Sequence, residues 1–202
     1  MDQRKRTSEQ SRNAIVRAAF GEIYAHGYQG ARVERILART GLSKGAFYHH
    51  FDSKRSLAYA VLEEVIGEEL DRLWGRPLME SDDPLRTIGE IIEFKGDSLY
   101  RIELGCPINN LAQEMSPVDE GMRLRIRALF DRWRELLTAA LTRGQRNGRV
   151  SETIDPAEVA IFIVGSVEGC IGLAKNASDP VVFGACRKGL LAYLEGLRQA
   201  AS

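Results

Sequence analysis

The chain has little of what most catalytic and metal sites are built from. Its 202 residues include three histidines, His26, His49 and His50, and none lies beyond position 50. A Cys–His pair in the later part of the chain therefore has no nearby base, and no enzyme is expected. The three cysteines, Cys106, Cys170 and Cys186, are too far apart for a Cys-x-x-Cys motif, and an odd count argues against a disulfide framework. No Cys or carboxylate sits at ligand spacing from His49, so no metal or other cofactor is expected. Apolar runs are short, and none approaches the roughly 20 residues that cross a bilayer. No apolar stretch follows the opening Met-Asp-Gln-Arg-Lys-Arg, so no signal peptide is expected and the cytoplasm is the expected compartment. Strand patterns are missing as well. The one candidate, residues 150–154, is short and largely polar and reads as loop.

What remains reads as helix. Apolar residues recur at helical spacing over 8–26, 54–74, 84–103, 108–115, 119–146, 156–176 and 180–199, with two shorter helices at 33–40 and 44–50. The stretch 75–84 is rich in Gly, Pro, Ser and Asp and is the obvious loop. The predicted fold is all-α with about nine helices. A three-helix N-terminal domain over 1–53 is joined by a linking helix to a larger helical domain over 54–202.

The formal net charge of zero hides an asymmetry. Residues 1–60 carry 11 Lys/Arg against 5 Asp/Glu, a net of +6, and residues 61–202 carry 17 against 23, a net of −6. A basic head on an acidic body suits one end meeting phosphates while the other stays off them.

The basic end coincides with the most specific pattern in the chain, residues 33–57. A short amphipathic helix buries Val33, Ile36 and Leu37. Thr40-Gly41-Leu42 turns the chain, with Gly41 free to take the positive φ that ends a helix. Ser43 is a good N-cap for a second short helix, which points Phe47 and Phe51 inward and Lys44, Tyr48, His49 and His50 outward. Two helices joined by a Gly-bearing turn, the second with a polar, aromatic and basic outer face, read as a helix-turn-helix that lays its second helix in the DNA major groove.

At these residues the chain resembles the tetracycline-repressor (TetR/AcrR) family of bacterial regulators. The resemblance runs from about Ala14 to Leu57 and includes Ala18-Ala19-Phe20 and Gly27-Tyr28. It is strongest over Gly41-Leu42-Ser43-Lys44-Gly45-Ala46-Phe47-Tyr48-His49-His50-Phe51, with Lys54 and Leu57 following. The resemblance implies a homodimer that binds a palindromic double-stranded DNA operator, usually as a repressor, and releases it when a small molecule enters the body domain. One departure is Arg32, where the family often has Thr or Ser. Arg32 caps a helix poorly but reaches a phosphate as a charged donor.

Within the motif, Ser43, Lys44 and Tyr48 are placed to meet phosphates. His49 and the backbone near Gly45 face bases, and Gly45 and Ala46 allow close approach through small size. Lys54, in the first turn of the linking helix, is another phosphate contact. His50 divides between a phosphate contact and partial burial, and the arm Arg4-Lys5-Arg6 between a DNA contact and a solvated tail.

The body is less legible. Phe94, Tyr100, Phe130 and Trp133, with Asn109, Asn110 and Gln113 as polar anchors, are candidates for an effector pocket, set against plain core packing. Glu168 and Lys175 are charged residues within apolar faces. Cys106 follows Gly105 at a helix start. Gly105-Cys106 followed by Asn110-Leu111-Ala112-Gln113-Glu114 resembles a subgroup of the family that includes repressors sensing electrophiles or oxidants, so Cys106 reads either as a reactive sensor thiol beside Lys175 or as an inert buried cysteine. Gly165, Gly169 and Gly172 at near-helical spacing, with Val159, Phe162, Leu173, Leu190 and Leu194, form the expected dimer surface. An activator or architectural DNA-binding protein that takes no small molecule is the remaining alternative.

Overall fold

A computed structural model describes the backbone of residues 2–97 and 102–199, and side chains over 8–93 and 103–199. Helices α1 (Asp2–Gly30), α2 (Val33–Thr40) and α3 (Lys44–His50) are followed by a continuous helix α4 over residues 54–80. After it come α5 (Pro84–Asp97), a 3-10 turn (Ile102–Leu104), α6 (Pro107–Met115), α7 (Glu120–Arg146), α8 (Pro156–Ala177) and α9 (Pro180–Gly196). The fold is all-α. Among the described residues the one extended pairing is a single antiparallel bridge between Val150 and Arg198, in the segment read as loop.

Two boundaries differ from the sequence reading. α1 starts well before position 8, and Gly27 breaks it from within at φ 72, ψ 167. α4 runs through most of the expected loop at 75–84, leaving three residues, 81–83, before α5. Gly75 is a packing glycine there: a Cβ would stand 3.4 Å from Asp71 Oδ1 and 3.6 Å from Leu136 Cδ1. Pro77 is accommodated because Asp71–Gly75 form a wide π turn in which the Arg76 N–H reaches back to the Asp71 carbonyl. The hydrogen-bond ladder is thus loosened where Pro77 has no N–H to contribute.

By compactness the chain divides into two units, residues up to Glu68 with Asn110–Arg127, and Glu69–Asn109 with residues from Ala128 on. The first is larger than the 1–53 segment expected to form the head. Its core is Ile15, Val16, Ala19, Ile23, Ile36, Leu37, Phe47, Phe51 and Leu57, from four helices. Arg12 on α1 donates both guanidinium ends to Glu64 on α4, at 2.7 and 2.5 Å. The start of α7 is fastened to α4 in the same unit. Asp119 caps Met122 N–H at 2.9 Å and accepts the Tyr59 hydroxyl at 3.3 Å, and the Arg125 guanidinium lies 3.8 Å from the Tyr59 ring centre.

The second unit is built on Trp74 and Trp133, both buried with ring centres 4.9 Å apart. α8 and α9 form an antiparallel pair joined by a tight turn at Ser178 (φ 51), with Asp179 capping α9. That turn brings Cys170 and Cys186 within a Cα separation of 5.7 Å, where they form a disulfide that does not include Cys106. The expectation of no disulfide fails because a helical hairpin brings together residues that sequence spacing keeps apart. By length and composition α8 is apolar enough to cross a membrane, which qualifies the reading of short apolar runs. Val159, Ala160, Ile163, Val164 and Val167 are nevertheless buried within the unit, as in the core helix of a folded domain.

Candidate DNA-binding interface

The helix-turn-helix closes as its residues predict. Gly41 sits at φ 69, ψ 11, and its N–H returns to the Leu37 carbonyl at 2.9 Å. Ser43 Oγ accepts the Ala46 N–H at 3.2 Å, which caps α3. Ile36, Leu37 and Phe47 are buried, whereas Val33 is only half-buried. Arg32 occupies the N-cap of α2 without a side-chain cap bond, so its exposed guanidinium is uncommitted by capping. Opposite this core, α3 presents Lys44, Gly45, Tyr48 and His49 to solvent, with Tyr48 61% exposed. A short helix with small residues at its start and a basic, aromatic outer face can approach a groove closely and donate to phosphates on both sides.

Charge around this face is arranged by two acidic residues absent from the sequence reading. Glu34 on α2 pairs with Lys44 at 3.2 Å, and a local backbone hydrogen bond, followed by Lys44, holds the Glu34 carboxyl below its ordinary range. Glu22 on α1 is fully buried, with Arg35 at 3.4 Å and Arg39 at 3.5 Å. It orients two guanidiniums of α2 from behind. An isolated Glu in an amphipathic helix carries no sequence mark of such a role, since the pairing depends on how α2 crosses α1.

Two expected contacts are repositioned. Lys54 points inward. Its ammonium donates to the carbonyls of Ala31 at 2.7 Å and Gln29 at 3.2 Å and lies over the Tyr28 ring, and burial lowers its pKa. The expectation of a phosphate contact overlooked those two carbonyls, which the α1–α2 corner turns toward α4. His50 is half-buried between His49 and Phe51, and burial, followed by His49 and Arg12, lowers its pKa. The backbone of Arg4, Lys5 and Arg6 continues α1, and their side chains lie outside the described residues.

The family model described as "Bacterial regulatory proteins, tetR family" matches residues 15–61, and that described as "Tetracyclin repressor-like, C-terminal domain" matches residues 95–190. The chain belongs to the TetR family. Among curated TetR-like relatives, the HTH-type transcriptional repressor DhaR of Mycobacterium sp. (strain GP1) is 29% identical over 79% of this chain and 80% of its own. An uncharacterized HTH-type regulator from the lacX 3' region of Lactococcus lactis subsp. lactis is 28% identical over 84% and 85%. A crystallised TetR transcriptional regulator from Chloroflexus aurantiacus J-10-FL superposes with a TM-score of 0.85 at 27% identity, over 96% of this chain and all of that one. The protein is a DNA-binding transcription regulator of the TetR family, not an enzyme.

The TetR C-terminal stretch redistributes the other candidates. Trp133 is a core residue against Trp74, and Phe130 is half-buried on the same helix. Asn109 and Asn110 are half-buried on α6, Gln113 is exposed, and Cys106 is half-buried just before Pro107. Glu168 is buried whereas Lys175 is exposed. Tyr100 and the side chain of Phe94 lie outside the described residues. Of the expected dimer residues, Val159, Leu190 and Leu194 are buried within their own unit, because the α8–α9 pair closes over them. Phe162, Gly165, Gly169 and Leu173 face outward, as do Ile161 and Val181, and a Cβ on Gly165, Gly169 or Gly172 would meet open space.

Proposed function

We propose that the protein is a homodimeric, cytoplasmic repressor that binds a palindromic operator and releases it when a small molecule occupies the body. The exposed apolar stripe of α8 carries this reading. Phe162 and Leu173, 49% and 60% exposed, flank glycines with nothing over them, a surface suited to close helix packing with a second copy. Two copies related by a two-fold axis present two α3 helices to half-sites about one DNA turn apart. Sedimentation of the wild-type protein and Leu173→Glu, each with a duplex selected from random sequence, tests it. A wild-type dimer with an inverted-repeat footprint and a monomeric, weakly binding variant are expected. A wild-type monomer binding a single half-site contradicts it.

Cys106 favours a second reading for the signal. Cys106 is outside the disulfide and precedes the first turn of α6, where helix amides favour a thiolate. As a sensor it reacts with a small electrophile and DNA affinity falls. No labelling of Cys106 in the native protein, or labelling without change in affinity, contradicts it.

A further inference from the structure

The α1–α2 corner is organised around one carboxylate from outside the helix-turn-helix. Glu114, in the last turn of α6, accepts the backbone N–H groups of Tyr28 and Gln29, one on each oxygen, both at 2.8 Å. Gly27 precedes them at φ 72, ψ 167, a region open essentially to glycine alone. A Cβ on Gly27 would stand 2.8 Å from Oε2 and 3.1 Å from Oε1 of Glu114, so the carboxylate needs the glycine for space as well. Lys54 takes the carbonyls of Gln29 and Ala31. The same few peptides are held at their N–H groups by an anion and at their carbonyls by a cation. Hydrogen bonds to ionised groups are about twice as strong as neutral ones. An acid in the last turn of a helix also works against the helix dipole, so Glu114 is poorly placed for α6 alone.

We propose that Glu114 is a positioning residue for DNA reading: its carboxylate fixes the corner from which α2, and through the Gly41 turn α3, leave α1. The inference rests on the DNA-regulator reading.

The test uses the full chain and a duplex that the wild-type protein selects from a random-sequence pool. Glu114→Gln keeps the shape but offers one acceptor oxygen and an amide NH2 that opposes the second N–H. Its affinity for the selected duplex should fall about tenfold, equivalent to about 1.4 kcal/mol. Affinity for an unrelated duplex and the salt slope should stay unchanged, and the Tyr28 and Gln29 amides should exchange faster. In the wild type, the Tyr28 and Gln29 amides should be protected from hydrogen exchange. That measurement serves if the variant does not fold. Equal losses on both duplexes, unchanged affinity for the selected one, or Tyr28 and Gln29 amides that exchange freely in the wild type overturn the proposal. If no duplex is selected, the regulator reading fails and the positioning role falls with it, although amide exchange still reports whether the grip exists.

Discussion

The Lys54 ammonium donates to the Ala31 carbonyl at 2.7 Å, and this bond ties the first turn of α4 to the corner between α1 and α2. A hydrogen bond from a charged group contributes about 1.5–3 kcal/mol. Lys54→Met should therefore lower the thermal midpoint by several degrees. It should leave the salt dependence of DNA binding as steep as before. A flattening by about one unit of slope with unchanged stability would instead assign Lys54 to a phosphate.

Glu34 holds Lys44 at 3.2 Å on the face proposed to meet DNA, with both side chains about two-thirds exposed. Glu34→Gln frees the ammonium and removes an anion from among the phosphates. Affinity should rise several-fold on any duplex at low salt, and the gain should shrink as salt is raised. Because an exposed pair adds little to stability, the melting temperature should barely move. Anisotropy titrations at two ionic strengths and a thermal melt check all three.

Acid should destabilise the first unit in two steps. Burial lowers the His50 pKa, so the unfolded chain binds the proton more readily. The associated stability is complete above the ordinary value of 6.5 and fades as pH falls through 6.5 toward the lowered one. The hydrogen bond from Arg12 lowers the Glu64 pKa, so its contribution is present above 4.5 and lost as pH falls through the folded value. Denaturant melts from pH 8 to 3 should show both steps. His50→Gln should remove the upper one and Glu64→Gln the lower.

The Cys170–Cys186 bond closes a loop of 16 residues in sequence separation across the α8–α9 turn. Loops of this size are stabilised by about 3 kcal/mol when cross-linked. Thiol titration of the unfolded, unreduced protein should find one free cysteine, and reduction should expose three. Reduction or Cys186→Ser should lower stability without preventing folding, because Ala174 and Phe183 remain buried beside the bond.

Local features were legible where one or two residues decide the outcome. Gly41 and Ser43 mark the ends of α2 and α3, and Phe47 and Phe51 mark the buried side of the motif. Features that depend on how helices cross were not. Glu22 and Glu114 look like ordinary surface acids in sequence, and their roles come from Arg35 and Arg39 on one element and from two backbone amides on another. Gly75 and Pro77 read as a loop because the π turn that absorbs them has no sequence signature. Leu190 and Leu194 share the apolar character of Leu173, and only the folded α8–α9 pair separates buried from exposed.

The most direct measurement is a salt titration of full-length protein on the duplex it selects, repeated with Lys44→Ala and Tyr48→Ala. Log affinity should fall linearly with log salt. Lys44→Ala should flatten the slope by about 0.9, the value of one phosphate contact, and Tyr48→Ala should weaken binding without unfolding the protein. A protein that selects no duplex, or binding indifferent to both substitutions, would contradict DNA reading by α3.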